Sequence, residues 1–405
     1  MPVHLRVSAF LLATGALMSG GPVVAQGGTC LKPWYTPLPP PVRSVEVLPD
    51  HRLTFRLCAP EAREVLATSP DAAPVIPQGF PAGTPMGLVL TRDASGLWSG
   101  TTTGPVAPGP YRYGFRVDGV RTVDPYARSF SQTRYGIEAV VEVPGATFQA
   151  WDATIPHGAV ATVDYWSKSL KVRRRAHVYT PPGYEKGAAA RYPVLYLVHG
   201  SGDNDDSWVS IGHANQILDR LIASGEARPM IVVMPDGHLP DADRATDFHA
   251  AGFGADLTRD LIPLIDGTYR TVPTAEARAM AGLSMGGSHT IREGLTRPDT
   301  FHWLGIFSMG MGVGSQTGVS AKATDDFAAA HDDALKAAAR SVHLVYFGMG
   351  REDGLYPSAA PTVAVLDRYR IRHIYRESGG GHTWINWRDY LNEFAPMLFQ
   401  PVRPR

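Results

Sequence analysis

The segment Gly282-Leu283-Ser284-Met285-Gly286 has the spacing G-x-S-x-G, and an apolar run, Arg278 to Ala281, precedes it. A helical stretch, Gly287 to Arg297, follows. Strand, sharp turn and helix in that order lift a serine hydroxyl clear of a sheet, and the small flanking residues let the turn pack closely. A serine hydroxyl becomes a useful nucleophile when an imidazole takes its proton, so a base and an orienting acid must lie further along the chain. After Ser284 come His289, His302, His331, His343, His373 and His382. His289 sits on the nucleophile helix itself, and His343 falls in an apolar run and reads as a packed core residue. His382 follows three glycines and opens His-Thr-Trp-Ile-Asn-Trp, a loop able to reach back over the strand ends; it is the expected base. The acid is expected after the strand Val342–Phe347, where Glu352 and Asp353 are adjacent. Asp353 precedes a glycine and is preferred, with Glu352 as its alternative. An oxyanion needs two N–H donors. Met285, next to the nucleophile, offers one, and Ser201, in His199-Gly-Ser-Gly202 after the strand Pro193–Val198, offers the other.

These residues need a scaffold, and the sequence describes one. From about Tyr165 the chain alternates strands with helices. Pro193–His199, Met230–Pro235, Ala277–Ala281 and Val342–Phe347 are continuous apolar runs of the kind found in buried parallel strands. Between them, Gly254–Arg270 places Leu257, Leu261, Leu264 and Ile265 on one helical face. The predicted fold class is α/β, a mostly parallel sheet with helices on both faces over residues 165–400. Before it, residues 44–145 show short alternating runs between turns, Leu53–Leu57 and Tyr111–Val117 among them. The second ends in Asp118-Gly119, a hairpin signal. A small β-sandwich is predicted there, with 146–164 as linker and entry strand. Residues 26–43 form a Pro-rich lead. Residues 1–25, with His4 and Arg6 before the apolar run Val7–Met18 and small residues up to Ala25, read as a secretory signal cleaved after Ala25. That run is shorter than the roughly 20 residues needed to span a bilayer, so a secreted or periplasmic protein without a membrane span is expected.

Composition narrows the classes further. The 405 residues carry 38 Lys+Arg against 38 Asp+Glu, which gives no basic footprint for nucleic acid. Two cysteines, Cys30 and Cys58, make neither a disulfide scaffold nor a four-thiolate zinc site. In an oxidising compartment they pair or remain as two buried thiols. Arg173-Arg174-Arg175 reads as a solvated charged face. Asp203, Asp205 and Asp206 lack the glycine and terminal glutamate of a calcium loop. Trp98, Tyr111 and Tyr113 fit a sandwich core better than a sugar-stacking platform. Trp384 is a candidate border of the substrate pocket.

Taken together, Tyr179-Thr-Pro-Pro-Gly-Tyr, Tyr196-Leu-Val-His-Gly, Ala281-Gly-Leu-Ser-Met-Gly-Gly, Gly380-Gly-His-Thr-Trp and Trp387-Arg resemble carbohydrate esterase family 1. That family holds the feruloyl and acetyl xylan esterases on an α/β-hydrolase fold. The resemblance spans about 165–400. It implies Ser284 as nucleophile, Asp353 as acid and His382 as base, and carries over the oxyanion amides less directly, because Ser201-Gly-Asp-Asn-Asp is a loop that varies in the family. Tyr111–Gly119 and Asp124-Pro125-Tyr126 resemble the Ig-like, early-set family 48 carbohydrate-binding modules. The implied activity is hydrolysis of acyl groups from a polysaccharide or oligosaccharide such as xylan. The chemistry is complete with side chains and amides, so no cofactor and no metal is expected. A siderophore trilactone esterase and a mycolyltransferase-like acyltransferase share this layout and stand as alternatives.

Overall fold

The computed structural model describes residues 30, 43–73, 75–79, 83–186, 189–240, 251–313 and 319–401. Residues 1–25, the expected secretory signal, lie outside them. The α/β part is built on an eight-stranded sheet. Its strands are β11 (Ala159–Ser167), β12 (Val172–Thr180), β13 (Val194–Val198), β14 (Ile231–Pro235), β15 (Arg278–Leu283), β16 (Trp303–Phe307), β17 (Leu344–Gly350) and β18 (His373–Ser378). Their spatial order is β11-β12-β14-β13-β15-β16-β17-β18. The β11–β12 and β12–β14 pairs are antiparallel, and every later pair is parallel. The sheet therefore begins at Ala159, inside the stretch expected to link the two parts, and β11 is the entry strand. His343 falls one residue before β17 and bonds Glu276 near the surface; it is not inside the strand.

The period of two decides which layer each side chain joins. Along β13, Val194, Tyr196 and Val198 pack into one apolar cluster with Phe253, Leu257, Leu261, Ile265 and Leu295. Leu195 and Leu197 face the opposite way, into a cluster with Trp208, Leu218, Trp384, Tyr390 and Phe394. Helices thus cover both faces: Ala251–Thr268 and Met285–Leu295 on one, Ala214–Ala223 and Trp384–Phe394 on the other. Leu257, Leu261 and Ile265 are buried as the helical spacing predicts, and Leu264 is half-buried.

Two antiparallel sheets precede the α/β part. One contains β1 (Glu46–Val47), β2 (Leu53–Cys58), β6 (Leu97–Thr101) and β5 (Thr91–Arg92). The other contains β4 (Leu88–Val89), β3 (Val65–Thr68), β7 (Gly109–Val117), β10 (Gly136–Val143) and β9 (Phe130–Thr133), with β8 (Val120–Thr122) paired to β7. The β7–β8 turn carries Asp118 at φ 47° and Gly119 at φ 86°, the two positive values a tight hairpin requires. Trp98, Tyr111 and Tyr113 are buried in the core between these sheets, with Phe55 and Phe115, so they offer no face to a sugar. Among the described residues no helix is long and apolar enough to cross a membrane.

Arg388 fastens the two parts. It is fully buried on the helix Trp384–Phe394 and donates to the Ile211 carbonyl (2.9 Å) and to the Pro110 carbonyl of β7 (3.3 Å). Burial pushes its guanidinium down to about 10, which leaves it charged at neutral pH. Gly109, at φ 138°, makes room for it: a Cβ there would lie 2.9 Å from Nη2.

Cys30 and Cys58 form a disulfide across a sequence separation of 28. Closing a loop of that length restricts the unfolded chain by about 3–4 kcal/mol in the chain-entropy account. Replacing both cysteines by serine is expected to lower the urea midpoint correspondingly while leaving the α/β part's far-ultraviolet signature intact. An unchanged midpoint would show that the bridge contributes nothing to stability.

Candidate active site

Ser284 occupies the turn between β15 and the helix Met285–His289 with φ 51° and ψ −115°. A non-glycine residue held in that region costs on the order of 1–3 kcal/mol and persists where its surroundings leave no alternative. Those surroundings are crowded backbone. A Cβ on Gly282 would lie 2.4 Å from the Gly286 carbonyl carbon, and one on Gly286 would lie 2.3 Å from the Val198 carbonyl oxygen. One on Gly287 would meet the Met309 Cβ at 2.7 Å. The Ser284 N–H is held by the Phe307 carbonyl at 2.9 Å. Met285 is the first helical residue, so its N–H belongs to the turn of donors that a helix leaves without intrahelical acceptors.

His382 Nδ1–H donates to Asp353 Oδ2 at 2.9 Å. Burial is graded across the pair: the Asp353 side chain is sealed from solvent, whereas that of His382 remains 35% exposed. Burial works against a charged Asp353 carboxyl. The bonds from His382, from the Leu355 N–H (2.8 Å to Oδ1) and from the Ser308 hydroxyl outweigh it and hold the group below its ordinary value. Ser308 is itself fixed, because Trp387 Nε1–H donates to its Oγ at 3.0 Å. The neighbouring Glu352 is solvent-exposed, so Asp353 is the carboxylate brought to the imidazole.

The glycines before His382 have a geometric reason. The loops after β17 and β18 lie against each other, with the Glu352 N–H bonded to the Gly380 carbonyl at 3.1 Å. A Cβ on Gly350 would lie 2.2 Å from that carbonyl oxygen, and one on Gly380, at φ 77°, would lie 2.6 Å from Asn386 Oδ1. Asn386 closes the loop by donating to the Gly379 carbonyl at 2.7 Å. The acid loop and the base loop are one interlocked unit.

Ser284, His382 and Asp353 line one cleft of about 530 Å³ with Gly200, Ser201, Gly202, Asp203, Leu355 and Trp387. Ser201 lies on a turn packed against the nucleophile: a Cβ on Gly200 would sit 3.6 Å from the Ser284 Cβ. A hydroxyl, an imidazole and a buried carboxylate in one cleft can carry out nucleophilic acyl transfer.

Two expectations need correction. Trp384 does not border the cleft. It is 1% exposed and packs edge-on against Trp208 and Trp387, with centroids 5.1 and 5.3 Å away. Trp387 lines the cleft instead and stands perpendicular to the His382 ring at 5.1 Å. The spacing of three between the tryptophans was the available signal, since it puts both on one side of the helix next to His382. Second, Arg173–Arg175 is not one solvated face. Arg174 points inward, bonded to the His238 and Asp236 carbonyls and 3.3 Å from Asp256, while Arg175 grips Asp205 with two bonds of 2.7 and 2.8 Å. Asp203, Asp205 and Asp206 are correspondingly taken by Arg112, by Arg175 with His177, and by the Gln132 N–H.

Residues Pro70, Asp71 and Arg112 of the sandwich also line the cleft, and sequence reasoning did not find them. Asp71 binds Arg112 through Nε (3.1 Å) and Nη2 (3.3 Å). No local pattern announces a pair separated by 41 residues.

Residues 167–398 match the family described as "Putative esterase". The chain is 34% identical over 357 residues to an endo-1,4-beta-xylanase/feruloyl esterase of Xylanibacter ruminicola, covering 85% of this chain and 44% of that protein. It thus spans less than half of that relative's length. A solved ferulic acid esterase is 26% identical with a TM-score of 0.53, covering 60% of this chain and 98% of that one. The enterochelin esterase of Shigella flexneri is 19% identical with a TM-score of 0.63 and covers 88% of this chain and 95% of that one, a likeness of fold that includes the sandwich.

The crowding at the serine turn makes a sharp prediction. Gly286→Ala forces a Cβ onto the Val198 carbonyl, so ester hydrolysis is expected to fall by at least a hundredfold with a lowered melting temperature. Gly267→Ala, where a Cβ meets open space, should leave both unchanged. Activity and calorimetry of the two variants side by side check this.

Proposed function

Since the chain belongs to this esterase family, we propose that it is an exported serine carboxylic ester hydrolase releasing feruloyl or acetyl groups from xylan-type polysaccharide. The single observation that supports the mechanism best is the 2.9 Å bond from His382 to a fully buried Asp353, in the cleft that Ser284 enters with a left-handed backbone. The substrate class draws on the xylanase/feruloyl esterase relative, and export draws on the residues before Gln26.

In this reading Ser284 Oγ attacks the ester carbonyl carbon while His382 Nε2 takes its proton. Asp353 holds Nδ1–H, so the ring presents Nε2 to the serine and its positive charge is stabilised without Asp353 itself taking the proton. The Met285 and Ser201 N–H groups receive the carbonyl oxygen as it becomes an oxyanion. Collapse breaks the bond to the sugar oxygen, which leaves with the proton from His382 Nε2. Water then loses a proton to the same nitrogen, attacks the acyl-serine and releases the acid, and Ser284 recovers its proton. Trp387, on the cleft wall beside His382, is an apolar surface suited to an aromatic acyl group.

A second reading, hydrolysis of a trilactone siderophore, draws on one observation: the enterochelin esterase resembles both parts of the chain in fold, as the xylanase/feruloyl esterase relative does in sequence. Chromatography of the acids released from native arabinoxylan by wild type and Ser284→Ala separates the two readings. Ferulate or acetate that disappears in the variant is the expected result. Wild type that releases no acid from arabinoxylan but opens a trilactone would overturn the polysaccharide assignment.

The acid can be tested by itself. Asp353→Asn is expected to lower kcat by about 10³–10⁴-fold by allowing the wrong imidazole tautomer. Glu352→Gln, at the exposed neighbour, should remain within about twofold of wild type; the reverse order would transfer the role to Glu352.

A further inference from the structure

The turn that carries the Ser201 N–H is held from both parts of the chain, and its one charged partner comes from the sandwich. The Asp203 N–H closes it onto the Gly200 carbonyl at 3.1 Å, with Ser201 and Gly202 at its centre. Two glycines flank Ser201, so the turn has little stiffness of its own. Its fixings come from four directions. His199 Nδ1–H donates to the Gly200 carbonyl at 2.7 Å. The Gly202 carbonyl accepts the main-chain N–H of Arg134, between β9 and β10, at 3.1 Å. The Asp203 carbonyl accepts His238 Nε2–H at 3.0 Å, and His238 Nδ1 in turn faces Arg134 Nη1 at 2.9 Å. The Asp203 carboxylate, 4% exposed, accepts Arg112 Nη1–H at 2.6 Å.

Arg112 is a sandwich residue, on β7, and it is buried. Burial opposes its charge, but Asp71 and Asp203 outweigh that and hold the guanidinium protonated. Asp71 takes Nε and Nη2, and also accepts the Arg112 main-chain N–H at 2.9 Å. Glu138 stands 3.8 Å from Nε, and the guanidinium lies over the Trp384 ring at 5.9 Å. One face of the fork is therefore locked to the sandwich and the remaining nitrogen reaches across to the turn. A planar fork can do both at once, whereas a lysine ammonium has no such fixed geometry.

Resting on the esterase reading above, we propose that Arg112 is a positioning residue: through its ion pair with Asp203 the sandwich sets the Ser201 N–H at the distance the developing oxyanion requires. An oxyanion donor acts within about 2.7–3.1 Å of that oxygen, and losing one outright costs roughly 10²–10³ in kcat. Letting the turn drift costs a part of that. The sandwich thereby belongs to the catalytic apparatus, whether or not it touches glycan.

Asp203→Ala carries the test, because Arg112 keeps Asp71 and Glu138 and the fold is not left with an unpaired buried cation. On p-nitrophenyl acetate, too small to need a sugar subsite, kcat is expected to fall tenfold or more with KM within about threefold. Affinity for phenylboronic acid, which gives a tetrahedral serine adduct with an oxygen in the oxyanion position, should fall by a similar factor. Asp203→Asn, which keeps an acceptor for Nη1, should recover most of both losses, and Arg112→Met should repeat them. A folded Asp203→Ala protein, judged by its melting temperature, with wild-type kcat and boronate affinity would overturn the proposal. So would a kcat loss without any loss of boronate affinity. Wild type that cleaves no ester would instead sink the esterase reading on which it rests.

Discussion

The close packing of the Ser284 turn onto the end of β13 is the contact on which the rest of the site depends. Gly286 rests on the Val198 and His199 carbonyls, so no side chain fits there and the helix that follows must start at Met285. That start leaves the Met285 N–H without an intrahelical acceptor, and the turn holds the serine at φ 51°. The strain is not relieved by relaxation, because β13 and β15 are adjacent, buried strands joined in parallel register from Val194–Arg278 to Val198–Gly282. A protein interior packed to crystal-like density does not move aside to relieve it.

Asp353 and His382 are organised by a different principle. Asp353 is sealed and His382 half-open, so the carboxylate keeps its charge through hydrogen bonds while the imidazole retains access to substrate and water. Ser308 and Trp387 stand behind Asp353, one donating to it and the other fixing the donor. The glycines at 350 and 380 let the loops after β17 and β18 touch main chain to main chain. Positioning here comes from backbone contact, which is stiffer than any arrangement of long side chains.

The two parts of the chain meet through buried charge. Arg388 reaches from the α/β part to β7 of the sandwich, and Arg112 reaches from β7 to the turn beside Ser284. Arg112 is costly to bury and tolerable because the Asp71 and Asp203 carboxylates take its donors. Such pairs specify relative placement more sharply than apolar contact, because a shift of an ångström leaves a buried charge without its partner. The sandwich aromatics Trp98, Tyr111 and Tyr113 are spent on its own core.

Much of this site was legible in the residues alone. G-x-S-x-G, three glycines before His382, and continuous apolar runs between helical stretches are local features whose meaning is set by sterics and periodicity within a few residues. The same holds for Asp118-Gly119, whose two positive φ angles only a few residue types adopt readily. Other features were decided by the folded chain. Glu352 and Asp353 are adjacent carboxylates in one loop, and only the direction in which that loop folds against Gly380 buries one and exposes the other. Trp384 and Trp387 share a helix; the packing of Trp384 against Trp208 leaves Trp387 as the one that lines the cleft. Arg112 finds Asp203 across 91 residues. The sequence by itself determined the elements and the sharp turn at Ser284, because those follow from short-range geometry. The tertiary structure decided which charge pairs with which, because burial is a property of the assembled interior and no single segment carries it.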